Sequence, residues 1–367
     1  MYCPYIKKGL TIRHDGRMIP CCHYNGDLGL NFKQTSIEDY FSSVKLDELE
    51  SQLKNKQWPS ACGLCQYAEK NSQTSMRLNA IAQPELFENY YLDLNIGTEC
   101  NSDCAMCLPL DSSKIVSRIK QHGYLEELNY KLDFSRDEWS DYNDCWNNIN
   151  DNIKNASVIK LIGGEPFLNK NIWKWLDSDL VKQNKQNITL QITTNASILP
   201  QNKIELLKGW KSLIINVSAD ATGKQFEWIR NGLSWKDIYS NTEILNSIDN
   251  SIVSIQSVVS IYSIVGIVDL LNWINDKDYL FLMITMTKPK HLVVDHAPIS
   301  VLEKILEDLS LIKMKRKQNQ IQLLSLKKYL KKCIIENKNN PDLLKKITDY
   351  FNNHRNGLMD TTTLKVK

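Results

Sequence analysis

The sequence predicts an α/β fold with a largely parallel sheet, because strand-like and helix-like segments alternate through most of its length. Six apolar runs have strand character, at 91–97, 156–162, 188–194, 211–218, 252–261 and 279–286. Segments with helical spacing separate the later runs, at 171–185, 201–209, 235–248 and 266–275. Such alternation favours parallel pairing, since a crossover helix returns the chain to the same edge of the sheet.

Composition narrows the class of protein. The chain has 367 residues, of which 42% are hydrophobic and 24% charged, and this is ordinary globular composition that excludes general disorder. A net charge of +3 is too small to predict nucleic acid or a membrane surface as a partner. The first residues contain no apolar signal core, so we expect a cytoplasmic protein. The most apolar stretch, 252–273, is interrupted by Ser254, Gln256 and Asp269, which favours a buried strand followed by a helix over a membrane span.

Ten cysteines are many for a chain without an export signal, and clustered cysteines then hold metal more often than they form disulfides. Three of them form a C-x3-C-x2-C run, Cys100, Cys104 and Cys107, directly after the first predicted strand. Three thiolates are one fewer than a closed zinc site or a fully ligated iron–sulfur cluster normally takes. The run therefore predicts either a cubane with one open iron or a zinc site with a distant fourth ligand.

A second group of cysteines lies before residue 66. Cys3 and Cys21 flank a hairpin-like segment whose Asp-Gly turn precedes Cys21, and Cys62-x2-Cys65 follows a helix-like stretch at 36–53. Four thiols fill a cubane or a structural zinc site. Cys22 could replace Cys21, although the spacing from Gly16 favours Cys21.

Polar residues follow the later strands. Gly163-Gly164-Glu165 follows the second predicted strand, Asn195 ends the third, and the fourth ends in Ser218 and Asp220. Glycines allow close backbone approach, and a carboxylate can pair with an ammonium group, but an ordinary strand-to-helix turn would look the same. Asn195 and Asp220 could line a pocket or could cap strand ends.

The C-x3-C-x2-C run after a first strand resembles the signature of radical S-adenosylmethionine (SAM) enzymes, and Gly163–Glu165 resembles the Gly-Gly-Glu motif of that superfamily. The resemblance implies a partial (β/α)6 TIM-like barrel with its site at the carboxyl ends of the strands. It also implies a [4Fe-4S] cluster on Cys100, Cys104 and Cys107, with SAM at its open iron. The other residues that it implies at the SAM site are Met106, Gly163, Gly164, Glu165, Asn195, Ser218 and Arg230.

The N-terminal group resembles a SPASM domain or the shorter twitch domain, which usually follows the barrel but here precedes it. The resemblance implies a second, auxiliary [4Fe-4S] cluster on Cys3, Cys21, Cys62 and Cys65. We expect two clusters in all, with Cys145 and Cys333 as ordinary buried thiols.

This organisation gives three expected domains: 1–90 with the auxiliary cluster, 91–300 as the barrel, and 301–367 as a helical extension and tail. Aromatic residues in the insertion at 108–155, Trp139, Tyr142 and Trp146, are expected to form a small local core. The region 298–354 reads as helices with a packed face at Val301, Ile305, Leu309 and Ile312. Its many lysines predict a solvated face rather than a contact with RNA or an acidic leader peptide. A disordered tail is expected at 361–367.

The functional expectation follows from the resemblance. It is reductive cleavage of SAM to a 5′-deoxyadenosyl radical, which abstracts a hydrogen atom from a peptide or protein side chain, with a flavodoxin or ferredoxin as electron donor. Radical modification of RNA or of a small metabolite is a second possibility. A non-catalytic thiolate–metal scaffold is a third, and the Gly163–Glu165 and Ser218–Arg230 features argue against it.

Overall fold

The computed structural model describes residues 1–71, 73–128, 137–287 and 289–355. In this part of the chain ten strands form one large sheet and one two-residue ribbon. In chain order the strands are β1 (Gly9–Ile12), β2 (Met18–Ile19), β3 (Tyr90–Asn95), β4 (Asp103–Cys104), β5 (Ala156–Ile162), β6 (Thr189–Thr194), β7 (Ser212–Ser218), β8 (Arg230–Asn231), β9 (Ser251–Val259) and β10 (Leu280–Thr285).

Helices connect most of these strands. The α-helices are α1 (Pro4–Lys8), α2 (Ile37–Phe41), α3 (Val44–Lys54), α4 (Gly63–Lys70), α5 (Met76–Ile81), α6 (Ser113–His122), α7 (Asn143–Asn152), α8 (Lys170–Leu176), α9 (Asp179–Asn184), α10 (Gly223–Ile229), α11 (Trp235–Asn246), α12 (Ile267–Asp276), α13 (Ile299–Ser310), α14 (Lys317–Ile335) and α15 (Pro341–His354).

The large sheet has the order β10-β9-β7-β6-β5-β3-β1-β2. From β3 to β10 its six strands are parallel and neighbour one another in chain order. A sequential parallel order winds the sheet in one direction, as in a (β/α) barrel, and places every strand's carboxyl end at the same rim. These six strands are the six that the sequence predicts, and the predicted partial barrel is confirmed.

The N-terminal segment joins the barrel through its own strand. β1 pairs in parallel with β3, with Ile12 opposite Leu94, and β2 returns antiparallel to β1. The hairpin turn depends on Gly16, whose φ of +90° is disfavoured for other residues and whose Cβ would lie 2.5 Å from Asn31 Oδ1. Because β1 runs parallel to β3, the hairpin tip lies at the same rim as the carboxyl end of β3.

Two predicted helices are interrupted at serines. The segment 171–185 divides into α8 and α9, and the Ser178 hydroxyl accepts a hydrogen bond from Val181 N at 3.5 Å. The segment 36–53 divides into α2 and α3, where the Ser43 hydroxyl accepts from Lys45 N at 3.3 Å. In both cases a serine side chain caps a new helix in place of continuing the old one. The predicted helix at 201–209 is a 3-10 turn at Gln201–Leu207.

The described part of the insertion packs against the barrel rim. Trp139 is fully buried, Trp146 is buried beside it with ring centroids 5.2 Å apart, and the Trp139 indole donates to Asn95 O at 2.7 Å. The local core that the sequence predicts therefore exists, but Tyr142 is not part of it and remains 46% exposed. Its phenol donates instead to Asp137 at the surface.

The C-terminal region is helical as predicted. Val301, Ile305 and Leu309 are buried, and Ile312 packs against the core at its edge. Helix α14 packs on β10, where Asn319 accepts a hydrogen bond from Phe281 N at 2.8 Å. The expected tail at 361–367 lies outside the described residues. None of the helices in the described ranges is both long and apolar enough to cross a membrane.

Candidate radical SAM site and auxiliary cluster site

The three cysteines of the C-x3-C-x2-C run lie on a loop, residues 96–112, which leaves the carboxyl end of β3 and is called the cysteine loop below. Its only regular structure is β4, which pairs with β8 so that Cys104 lies opposite Arg230. Ala105 N also donates to Ile229 O at 2.8 Å. Backbone pairing thus attaches the middle of the loop to the end of helix α10.

The thiols of this loop differ in acidity. A hydrogen bond from Cys107 and the nearby Arg230 guanidinium outweigh the effect of burial, and the pKa of Cys104 is lowered to about 6. The Cys104 sulfur also lies 2.8 Å from the Ser102 hydroxyl and 3.7 Å from Arg230 Nη1. Burial raises the pKa of Cys100, and donation to Cys104 raises that of Cys107. Cys104 is therefore the thiol most readily deprotonated for metal binding.

Arg230 is buried and is fixed by a carboxylate as well as by its contact with Cys104. Its Nε donates to Asp220 Oδ2 at 2.7 Å, and the other oxygen of Asp220 accepts from Val258 N at 2.7 Å. Asp220 is completely buried, so it anchors Arg230 and the strand end and does not line an open pocket. The sequence left two roles open for Asp220, lining a pocket or capping a strand end. Its contacts in the structure fit the capping role.

The two glycines after β5 touch the cysteine loop itself. Gly163 has a φ of +143°, and a Cβ at Gly164 would lie 2.1 Å from Glu99 O. Gly164 N donates to Gly97 O at 2.8 Å, and Glu165 N donates to Glu99 O at 2.7 Å. The glycines therefore allow the loop after β5 and the cysteine loop to approach each other closely.

Glu165 lies buried under the same contact. Its carboxylate accepts from the Thr194 hydroxyl at 2.6 Å, from Asn195 N at 2.6 Å and from Phe167 N at 3.0 Å. Burial nevertheless raises the pKa of Glu165 to about 7. The Asn195 side chain donates to Asn101 Oδ1 at 3.0 Å, so the end of β6 is also joined to the cysteine loop.

The remaining predicted cofactor residues lie at the same rim. Ser218 is the last residue of β7 and is half-buried, and the structure gives its side chain no hydrogen bond to a described residue. Met106 is buried within the cysteine loop. The structure therefore brings the loop, Glu165, Asn195, Ser218 and Arg230 to one end of the barrel, as the parallel order requires.

A buried ion cluster supports the loop, and sequence reasoning missed it. Asp103 Oδ2 accepts from Arg118 Nε at 2.8 Å and from Arg355 Nε at 3.3 Å, and all three residues are buried. Arg355 comes from the end of α15, 252 positions further along the chain. No local pattern could have identified this partner, because an arginine near a chain end has no periodic or motif signal.

One cavity is lined by four of the five N-terminal cysteines, together with Tyr24, Trp58 and Met76. The four are Cys3, Cys21, Cys62 and Cys65. Cys22 is not among the lining residues, although its sulfur lies 3.7 Å from Sδ of Met76, which is one of them. Burial raises the pKa of Cys3 to about 11 and of Cys62 to about 12, and it raises that of Cys21 as well. These thiols would be deprotonated only by a bound metal, which is the usual effect of metal coordination on cysteine.

The other two thiols are separate from both groups. Cys145 is buried and its sulfur lies 3.7 Å from Phe32 O, and Cys333 is buried on α14. Neither lines the N-terminal cavity.

The family comparison concerns the N-terminal segment. Residues 3–66 match the SPASM family, an iron–sulfur cluster-binding domain. The matched range contains all four cysteines of the N-terminal cavity and precedes the barrel. The predicted resemblance to radical SAM proteins that carry such a domain is confirmed.

Individual relatives give a narrower comparison. The chain is 27% identical over 163 residues to a GTP 3′,8-cyclase of Campylobacter lari, and 26% identical over 165 residues to a GTP 3′,8-cyclase of a Sulfurovum species. Each match covers 44% of this chain and 42% of the relative, so the chain spans less than half the length of these proteins.

Solved structures that match part of the chain include two proteins. One is native anSMEcpe with bound AdoMet, with a TM-score of 0.41, 16% identity, and coverage of 59% of this chain and 57% of that one. The other is Streptococcus suis SuiB bound to precursor peptide SuiA, with a TM-score of 0.41, 14% identity, and coverage of 74% and 58% respectively.

The Asp103→Asn variant tests the buried ion cluster. It removes the charge that compensates two buried guanidinium groups, so we expect the free energy of unfolding of the metal-free protein to fall by about 3–5 kcal/mol in urea titrations. Asp15→Asn is the matched control, because Asp15 pairs with the half-exposed Arg17 and should contribute about 1 kcal/mol or less. Equal, small losses in both variants would contradict a structural role for the cluster.

The pKa of Glu165 predicts a pH dependence of stability without SAM. Its folded-state pKa of about 7 exceeds the usual value of 4.5, so the folded state holds the extra proton between these values. Stability should therefore decrease as pH rises from 4.5 to 7, by about 3 kcal/mol relative to Glu165→Gln. The measurement is urea unfolding of both proteins across this range. Parallel curves would show that Glu165 does not titrate there, whatever constant offset the glutamine introduces.

Proposed function

We propose that this chain is a radical SAM enzyme that cleaves SAM reductively and abstracts a hydrogen atom from a peptide or protein side chain. The observation that carries the proposal is the cysteine loop: three thiols at the carboxyl end of the first barrel strand, paired through β4 with Arg230. A barrel rim is where enzymes of this architecture place their reacting groups.

The donor sets fit iron–sulfur clusters better than single zinc ions. In the described ranges no three His, Cys, Asp or Glu side chains converge on a point that could hold one metal ion. A structural zinc site needs such convergence, because its four ligands lie about 2.0–2.3 Å from the same ion. The thiolates of a cubane each bind a different iron and are spread more widely. The three-thiol and four-thiol groups would hold the site cluster and the auxiliary cluster respectively.

The chemistry that a cluster on Cys100, Cys104 and Cys107 supplies, once SAM is bound, is one-electron cleavage of the sulfonium to a carbon radical that takes a hydrogen atom from the substrate. Arg230 keeps a buried positive charge beside Cys104, which favours the thiolate. The Glu165 carboxylate accepts three of the about four hydrogen bonds that such a group can accept. It can therefore accept one more, from the methionine ammonium group of SAM. Ser218 offers an uncommitted hydroxyl at the same rim for a polar group of SAM.

A peptide or protein substrate is the one that the resemblance implies, and the match of 3–66 to SPASM supports that resemblance. A second candidate is a nucleotide substrate, because the matched relatives are GTP 3′,8-cyclases. A flavodoxin or ferredoxin would supply the electron.

Anaerobic reconstitution followed by iron and sulfide counts tests the cluster assignment. Two cubanes predict about eight irons, and about four should be lost when Cys100, Cys104 and Cys107 become Ala. With dithionite as reductant, the wild type should form 5′-deoxyadenosine from SAM and the triple variant should form none. A Cys145→Ala/Cys333→Ala variant is the matched control for thiol loss and should keep both values. Colourless, zinc-loaded protein without SAM cleavage would overturn the proposal in favour of a thiolate–metal scaffold.

Adjacent cysteines offer a sharper test of the auxiliary site. Cys21 lines the N-terminal cavity and Cys22 does not, so Cys21→Ser should destabilise the auxiliary cluster while Cys22→Ser keeps about eight irons. The readout is iron content after gel filtration, with the visible absorbance of the cluster as a second measure. The reverse result would assign Cys22 as the ligand.

A further inference from the structure

A cavity of about 510 Å³ lies between the two cysteine groups. One wall is the β1–β2 hairpin, with Arg13 and Arg17, and the opposite wall is formed by Leu110 and Asp111, shortly after Cys107. Asn95, at the carboxyl end of β3, completes the wall next to the barrel. A substrate that reaches the rim between the two groups would therefore contact the hairpin.

Strand register places Arg13 next to Asn95 at the end of β1. Thr11 pairs with Asp93 and Ile12 with Leu94, so Arg13 follows alongside Asn95. Because side chains alternate along a strand, Arg13 shares its face with Thr11. Both Arg13 and Asn95 line the cavity, in agreement with this register.

Arg13 and Arg17 differ in how their N–H donors are bonded within the protein. Arg17 Nε is bound to Asp15 at 2.7 Å, and its side chain is half-exposed. Arg13 makes one hydrogen bond among the described residues, from Nη2 to Cys22 O at 3.1 Å. A guanidinium has five N–H donors in a planar fork, so Arg13 retains an edge that can bind a carboxylate through two parallel hydrogen bonds.

The carboxylates around the cavity limit the charge that it can accept. Asp27 and Asp111 both line it. Arg13 and Arg17 balance Asp27 and Asp111 in formal charge, so one bound carboxylate leaves the cavity with a single excess negative charge, whereas a triphosphate would bring several charges close to both aspartates. The electrostatics therefore favour one carboxylate over a nucleotide polyphosphate.

We infer that Arg13 binds an acidic side chain of the peptide substrate, an Asp or Glu located near the residue that is modified. This inference rests on the proposed function and specifies its substrate class. It makes Arg13 a specificity-determining residue supplied to the barrel rim by the N-terminal segment.

A random-peptide display library is the probe, selected on the reconstituted, full-length protein in the presence of SAM. The wild type should enrich Asp or Glu at one position, by about tenfold over the unselected pool, as expected for a hydrogen-bonded charge pair. Arg13→Gln keeps an amide that can donate to Cys22 O but loses the charge, and it should abolish this preference. Arg13→Glu should replace it with a preference for Lys or Arg. Arg17→Gln is the matched control in the same cavity and should keep the wild-type preference.

Three results would overturn the inference: no acidic enrichment with the wild type, the same enrichment with Arg13→Gln, or calorimetric binding of GTP that depends on Arg13. Iron content and 5′-deoxyadenosine formation are measured on the same samples. A wild type that cleaves SAM without acidic enrichment would remove only this inference, while a protein that cannot cleave SAM would remove the proposed function. Arg13 variants should keep about eight irons, which separates lost recognition from a lost cluster.

Discussion

The cysteine loop has two residues of regular structure, so most of its polar backbone depends on contacts with other parts of the molecule. The central contact is the buried Asp103, which receives both Arg118 and Arg355 and lies directly before Cys104. Buried ion pairs stabilise a structure only when the geometry of the partners is good, because their attraction must offset the cost of removing charges from water. Removal of one partner leaves the others charged and buried. The position of the thiols is therefore set by side chains from α6 and the C-terminal region as much as by the strand that precedes them.

A second set of contacts links the loops at the rim into one unit. The glycines after β5 pack on the backbone at Glu99, and Glu165 hydrogen-bonds to the end of β6. Asn195 extends the connection back to Asn101 in the cysteine loop. A displacement of any one loop would break contacts with two others. Such mutual support is the preorganisation that a site for a reactive intermediate requires.

The architecture and the positions of the thiols could be predicted from sequence because both depend on neighbours in the chain. The six strands follow from local apolar runs, and the C-x3-C-x2-C spacing places three thiols on one loop whatever the rest of the fold does. What approaches the glycines could not be predicted: a Gly-Gly pair shows that something comes close, and here it is the Glu99 backbone. The preference for Cys21 over Cys22 came from turn spacing, whereas the structure adds that Cys21 lines the cavity and Cys22 does not. The partners of Asp103 are long-range contacts without a local signal.

The contact between Arg355 and Asp103 also bears on how such a molecule is made. Residue 355 is synthesised 252 residues after Asp103, so the cysteine loop leaves the ribosome long before one of its two arginine partners exists. A nascent chain that ends before Arg355 would have an exposed and incompletely held loop. The support of the three thiols would then be complete only after residue 355 has been synthesised.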